Sequence, residues 1–176
     1  NKFSKEEFFD KFSESVNHRL ISDVPVANFL SGGLDSSSIV KNMFDNGNID
    51  INTFTMEVEN EKYDESKWAN EVVKKYSTNH HSETINSNIE NNVVIESLNA
   101  LDEPYSDPST IPSYLISKAI SSRYKVAISG DGGDELLGGY LRTSQMIHSQ
   151  KIPDYIATFL YGIYPNSFGT GQKILS

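Results

Sequence analysis

Apolar residues along this chain recur at two spacings, and the switching between them predicts its elements. Phe8, Phe12, Val16 and Leu20 recur at helical intervals behind Ser4 and Glu7, a capping box, so residues 5–20 read as an amphipathic helix. Val24 to Leu30 is a short apolar run with Pro25 at its start, where a missing N–H donor is tolerated, and reads as a buried strand. Residues 36–46 follow as a helix, with Ile39, Val40, Met43 and Phe44 inward and Asn46-Gly47 as the stop. Ile51 to Val58 is rich in β-branched residues and strand-like. Residues 64–77 then place Trp68, Val72 and Tyr76 on one packed helix face, with Asp64 as N-cap. His81 to Ile85 reads as a further strand and Asn88 to Leu98 as a helix. After the loop LDEPYSDPSTIP comes a helix over 112–122, then the apolar strand Lys125 to Ser129, and a last helical region near Glu135.

Strand followed by helix four times over predicts an α/β fold, a doubly wound, mainly parallel sheet flanked by helices. Ligands of such sheets sit outside the carboxyl ends of the strands, where loops lead into helices. Two loops here leave strands at such ends and are packed with Gly, Ser and Asp: SGGLDSS at 31–37 and SGDGGDE at 129–135. No internal repeat or low-complexity tract interrupts the pattern. The tail from Lys151 mixes aromatic residues with Gly and Pro and reads as one more helix with a poorly packed end.

Composition narrows the functional classes. With 176 residues, 37% hydrophobic and 22% charged, the chain is expected to fold as a single globular domain, 1–176. A formal net charge of −9 argues against nucleic acid or an anionic membrane as a general partner. Cysteine is absent, which removes disulfide, thiolate-metal and cysteine-nucleophile chemistry and fits a reducing, cytoplasmic setting. No apolar run approaches the roughly 18 residues that span a bilayer. The first residues, NKFSKEEFF, lack a secretory layout and an initiator methionine, so the chain reads as a processed product or a piece of something longer.

In SGGLDSS, Gly32 and Gly33 permit unusual backbone and close approach of a ligand, and Ser36 to Ser38 bring amides and hydroxyls to a helix start, where an anion is favoured. This is a phosphate cradle without the spacing or lysine of a Walker loop and without the third glycine of a dinucleotide fingerprint. Asp35 repels phosphate unless a cation sits between them, and Mg2+ takes carboxylate and phosphate oxygens together. The competing reading is an ordinary strand–helix turn with Asp35 at the cap. In the second loop Asp131, Asp134 and Glu135 crowd three carboxylates into five residues, a costly arrangement without a metal or a cationic substrate. With the two loops as neighbours, Asp35 and Asp134 would share one Mg2+ on a triphosphate.

SGGLDSS resembles the pyrophosphatase-type loop of the N-type ATP pyrophosphatases. Together with RLISDVPVANFLSGGLDSS, YDESKWANEV, DEPYSDPSTIP and SGDGGDELLGGY, it is similar to the synthetase domain of the glutamine-hydrolysing asparagine synthetase family, over about Phe8 to Tyr140. The resemblance implies an adenine nucleotide alpha hydrolase-like fold. It also implies a ligase that adenylates a side-chain carboxylate, that of aspartate, with ATP and releases pyrophosphate before ammonia attacks. It places Leu30 and Met56 at the nucleotide, the adenine near the backbone of Met56. It assigns Ser31, Gly32, Gly33, Ser36 and Ser37 to the pyrophosphate, with Ser129 and Gly130 also at the nucleotide. Asp35 and Asp134 would ligate Mg2+, and Asp131 would serve acyl-adenylate formation. A homodimer is compatible with the resemblance.

The family's glutaminase domain is absent, so ammonia would come from outside this chain. The family's later lysine-bearing helical region is not matched either, and Lys173 lies too close to the last motif to stand for that lysine. Other readings stay open: a related amidotransferase or β-lactam-forming synthetase on another carboxylate, or a noncatalytic ATP-binding remnant. A sulfur-transferring tRNA enzyme shares the first loop but is disfavoured by the missing cysteines and the negative charge. His80 and His81 lack partners at ligand spacing and read as structural. Asp102, Glu103 and Asp107 read either as caps of the helix near Pro112 or as acceptor-pocket residues.

Overall fold

The structure, a computed structural model, describes residues 4–58, 64–85, 91–103, 107, 109–141 and 143. They fall into two compact units, Asn1–Gly130 and Asp131–Ser176. The first unit holds helix α1 (Lys5–Arg19), strand β1 (Val26–Phe29), α2 (Leu34–Asp45), β2 (Asn52–Val58), α3 (Ser66–Tyr76), β3 (Asn79–Ile85), α4 (Asn91–Asn99), α5 (Thr110–Ser121) and β4 (Val126–Ile128). The second begins with the short helix α6 (Gly133–Leu137). No helix among the described residues is long and apolar enough to cross a membrane.

The four strands form one sheet in the order β3-β2-β1-β4, every neighbouring pair parallel, as the alternation predicts. Phe29 lies beside Phe54, Asn28 beside Ile128, and β3 runs in register with β2 along its whole length. Side chains from the two faces of the sheet enter two separate cores. On one face Leu30, Ile51 and Ile128 meet Phe12 and Val16 of α1, Ile39, Val40 and Met43 of α2, and Ala69, Val72 and Tyr76 of α3. On the other, Ala27 and Phe54 meet Ile116, Ala119 and Ile120 of α5. Burying a side chain such as Phe54 is worth roughly 1.5–3 kcal/mol, so the central strands carry much of the fold.

Local chemistry explains most boundaries. Ser4 accepts a hydrogen bond from the Glu7 amide at 3.2 Å and starts α1, although its hydroxyl donates to Glu6 and not to Glu7. Asn46 ends α2, and Gly47 follows at φ 79°, the left-handed turn that glycine adopts freely. Helix α2 starts two residues before the expected position, because Leu34 and Asp35 have helical backbone without an apolar pattern to announce it. Asp64 turns the chain into α3 by accepting from the amide and hydroxyl of Ser66, though the helix itself begins at Ser66. The predicted helix from Asn88 begins at Asn91, and residues 86–90 lie outside the described ones. So do the tail from Lys151 and Lys173. Two expected core contacts differ. Phe44 is 49% exposed, its ring lying against that of Tyr76, and Trp68 is 61% exposed, so α3 packs through Ala69, Val72, Val73 and Tyr76 and not through Trp68.

His80 and His81 are structural on the described geometry. The Nδ1 of His80 lies 3.0 Å from the Thr53 hydroxyl, which lies 2.8 Å from that of Thr78, and the His81 ring neighbours that of Tyr124. Burial pushes the His80 imidazole below its ordinary value, His81 adds to the shift, and Glu57 opposes it. The folded state therefore binds fewer protons than the unfolded chain through the range below the ordinary imidazole pKa. This part of the stability is present above that range and is lost as pH falls through it. Replacing His80 by Asn is expected to flatten the change in urea midpoint between about pH 7.5 and about pH 5.5 relative to the parent. Equal slopes in parent and variant would refute the assignment.

Candidate active site

The order β3-β2-β1-β4 has a topological switch point between β1 and β4. The chain proceeds from β1 outward to β3, then returns to place β4 on the other side of β1. Loops that leave such a point diverge and open a crevice at the carboxyl edge of the sheet. The loop after β1 is SGGLDSS, and β4 runs into Ser129 and Gly130. The two meet: a Cβ built on Gly130 would lie 2.9 Å from the Asp35 Cβ and 3.0 Å from the Ser36 amide nitrogen. Only a residue without a side chain lets the β4 end lie this close to the start of α2.

Within the first loop the hydroxyls brace the backbone. Ser36 is 7% exposed, and its Oγ accepts from the Ser31 amide at 3.3 Å and lies 3.1 Å from the Ser31 Oγ. The Ser31 Oγ in turn accepts from the Gly33 amide at 3.1 Å. Behind the loop, Asn28 of β1 is fully buried and donates through Nδ2 to the Ser36 carbonyl at 3.3 Å. Leu30 is a core residue whose amide donates to the Phe54 carbonyl and whose carbonyl accepts from the Thr55 hydroxyl at 2.5 Å. Asn28 and Thr55 were missed in the sequence. The signal for Asn28 was present, a lone amide inside the apolar run VANFL.

Ser37 presents a buried Oγ with no hydrogen-bond partner, as does the Asn28 Oδ1. A buried polar atom left unpaired costs roughly 1–3 kcal/mol; an acceptor oxygen beside α2 would remove that cost at the Ser37 hydroxyl, whereas the Asn28 Oδ1, itself an acceptor, needs a donor. Gly33 is exposed, Asp35 and Ser37 half-buried in the first turn of α2, and Met56 half-buried in β2. In the second unit Asp131, Asp134 and Glu135 are exposed at the surface of that unit. Gly138 takes φ 69°, the Gly139 amide donates to the Asp134 carbonyl at 3.0 Å, and any side chain at Gly139 would run into the Asp134 carboxylate. Glu135 accepts from the Tyr140 hydroxyl at 2.5 Å. Among the described residues no three His, Cys, Asp or Glu side chains form a metal cage. Asp107 belongs to the helix start: it accepts from the Ser109 amide at 2.7 Å, and the Ser109 hydroxyl and amide hold its carboxyl below the usual range.

Gly32 does not face open space. Its φ is 83°, and a Cβ there would strike the backbone of Trp68 and Ala69 in the first turn of α3. Gly47 has nearly the same φ, 79°, with nothing within 4 Å of its missing side chain. Gly47→Ala is expected to cost about 1–2 kcal/mol, the backbone term alone. Gly32→Ala is expected to cost at least about 1 kcal/mol more, because α3 must also move. Urea unfolding of the two variants checks the difference, and equal losses would remove the α3 contact from the account.

Comparison with known proteins places the sequence in a family. The sequence profile of the asparagine synthase family matches residues 7–170. The chain is 36% identical over 147 residues to a putative glutamine-hydrolysing asparagine synthetase 2 of Methanocaldococcus jannaschii, covering 81% of this chain and 28% of the relative. It is 36% identical over 131 residues to asparagine synthetase 1 of Bacillus subtilis, covering 74% of this chain and 21% of the relative. With asparagine synthetase B of Escherichia coli it shares 28% over 190 residues, 92% of this chain and 32% of the relative. The chain thus spans between a fifth and a third of the length of these relatives. The profile match over residues 7–170, with these relatives, establishes that the chain belongs to the asparagine synthase family.

Proposed function

We propose that this chain is the nucleotide-binding part of an ATP-dependent amide-forming ligase that makes asparagine from aspartate, ammonia being delivered by a glutaminase domain outside the chain. The observation that supports it is the contact of Gly130 with Asp35 and Ser36, which puts the end of β4 against the first loop at the switch point. In this reading the nucleotide lies over the carboxyl edge of β1, β2 and β4. Leu30 forms the floor, Met56 flanks the adenine, and Ser129 and Gly130 close the β4 side. The Gly32 amide and the hydroxyl of Ser37 face the β- and γ-phosphates, while the Ser31 and Gly33 amides are held by the Ser36 and Ser31 hydroxyls and keep the loop in shape. The unpaired Ser37 Oγ gives that hydroxyl a proton to offer.

Adenylation forms a bond between a carboxylate oxygen of aspartate and the α-phosphorus of ATP, and breaks the bond from that phosphorus to the bridging oxygen. Pyrophosphate leaves with the electron pair, and the acyl-adenylate then accepts ammonia and releases AMP. The difficulty is charge: a carboxylate must approach a phosphate, and pyrophosphate must depart. Preorganised amides at the loop meet part of that demand without reorganising. Mg2+, held by Asp35 and Asp134 together with the phosphates, would supply the remaining neutralisation. Asp131 is assigned to the acyl-adenylate step.

Two measurements test this. Pyrophosphate release from ATP is expected to require aspartate in the full-length gene product, and to turn over repeatedly once ammonia is supplied. No release with aspartate or any common carboxylic acid would refute the ligase reading, and release with a different acid would move the substrate while keeping the chemistry. Asp35→Asn and Asp134→Asn are each expected to weaken Mg2+-dependent ATP binding about tenfold or more, with little change in Mg2+-free binding. Unchanged affinity in both variants would remove the shared metal.

A further inference from the structure

Strand β2 outruns its neighbour β1. The pairing of the two ends at Phe29 beside Phe54, whereas β2 continues beside β3 as far as Val58 and Ile85. In a parallel ladder a residue turns both its N–H and its C=O to the same neighbour, and the next residue turns both to the other side. The Leu30 amide donates to the Phe54 carbonyl, so Phe54 and, two positions on, Met56 turn their peptide groups toward the β1 side. At Met56 no strand meets them, because the chain has left the sheet for the first loop. The next rung of the ladder would join the Met56 amide to the Leu30 carbonyl. That carbonyl accepts instead from the Thr55 hydroxyl at 2.5 Å, and no backbone hydrogen bond joins Met56 to Leu30 among the described residues. Thr55 is 3% exposed, a place that a valine of the same shape would fill with no polar atom to satisfy.

We propose that Thr55 is a positioning residue for base recognition: its hydroxyl occupies the Leu30 carbonyl and so keeps the peptide edge of Met56 open to a purine. This rests on the nucleotide-site reading above, in which the adenine lies beside Met56. An N–H next to a C=O on one strand edge is a donor and an acceptor at fixed spacing, and a purine bearing a ring nitrogen beside an amino group complements both. With the rung closed, the Met56 amide would be spent on the protein, and β1 would lengthen by one pair into the space over its own end. The phosphate loop is braced separately, by Ser31 and Ser36, so losing the Thr55 hydroxyl falls on the base and not on the phosphates.

The test separates the base edge from the phosphate loop. Isothermal titration calorimetry with ATP and with inorganic pyrophosphate, each with Mg2+, is carried out on the full chain and on Thr55→Val and Thr55→Ser. Thr55→Val is expected to weaken ATP about 3- to 10-fold and to leave pyrophosphate unchanged, while Thr55→Ser binds both as the parent does. Hydrogen exchange of the Met56 amide needs no variant. In the ligand-free parent it is expected to be faster than that of the Phe54 amide, and to be slowed by ATP but not by pyrophosphate. Equal weakening of both ligands in Thr55→Val would make Thr55 a support of the fold alone, and unchanged ATP affinity would show that its hydroxyl opens no edge for the base. Met56 exchange as slow as that of Phe54 would show the rung already closed. Each of these three results overturns the proposal and leaves the nucleotide site standing. Failure of the parent to bind ATP at all, with the protein folded by circular dichroism, would overturn the nucleotide-site reading and this inference with it.

Discussion

The parallel pairing of Val126–Ile128 with Val26–Asn28 is the contact on which the site depends. The two segments are far apart in the sequence, and each is followed at once by a Gly- and Ser-bearing turn. Because the strands run the same way, both turns emerge at one edge of the sheet. An antiparallel β4 would send Ser129 and Gly130 to the opposite edge and leave the first loop an isolated helix start. Asn28 ties the pairing to the loop directly. It lies beside Ile128 in the sheet, and its amide holds the Ser36 carbonyl. A buried amide in a central strand is unfavourable unless it is bonded, so this residue makes the loop's position part of the fold's own stability.

The hydroxyls of the first loop divide into two groups by this geometry. Ser31 and Ser36 are occupied with each other and with the loop amides. They fix the conformation before any ligand arrives, which lowers the entropy lost on binding. Ser37 carries an unpaired hydroxyl, and Gly33 is exposed. A loop held rigid by some of its polar groups and open at others is suited to electrostatic work, since donors that are already oriented need not reorganise as charge shifts.

The order and type of the elements were legible because the switch from helical to strand spacing is strong at Val16, Ile39 and Val40, and Ile51 to Val58. The nearness of the β4 end to the first loop was legible for a different reason: two Gly- and Ser-bearing turns leave parallel strands, and Gly130 meets Asp35 and Ser36. What escaped was set by contacts between distant residues. Periodicity counts Trp68 as core because an indole is apolar, yet the ring lies where the helix meets the loop and no core faces it. Asn28 was concealed by its apolar neighbours, and the α2 start was placed late because Leu34, though apolar, faces water.

The glycines show the same division and alter what the motif means. SGG suggests a backbone bared for a ligand, but Gly32 is bare because α3 occupies its side, and Gly130 is bare because Asp35 and Ser36 do. In the second unit Gly139 leaves room for the Asp134 carboxylate. These residues are demanded by the protein packing on itself. Gly33 differs: it is exposed, its φ of −65° is open to any residue, and an added Cβ would meet only the Ser31 Oγ, at 3.2 Å. Neither strain nor a neighbouring backbone explains its lack of a side chain. The Ser31 Oγ that an added Cβ would press is the atom that holds the Gly33 amide, so the loop's own bracing favours glycine here as well.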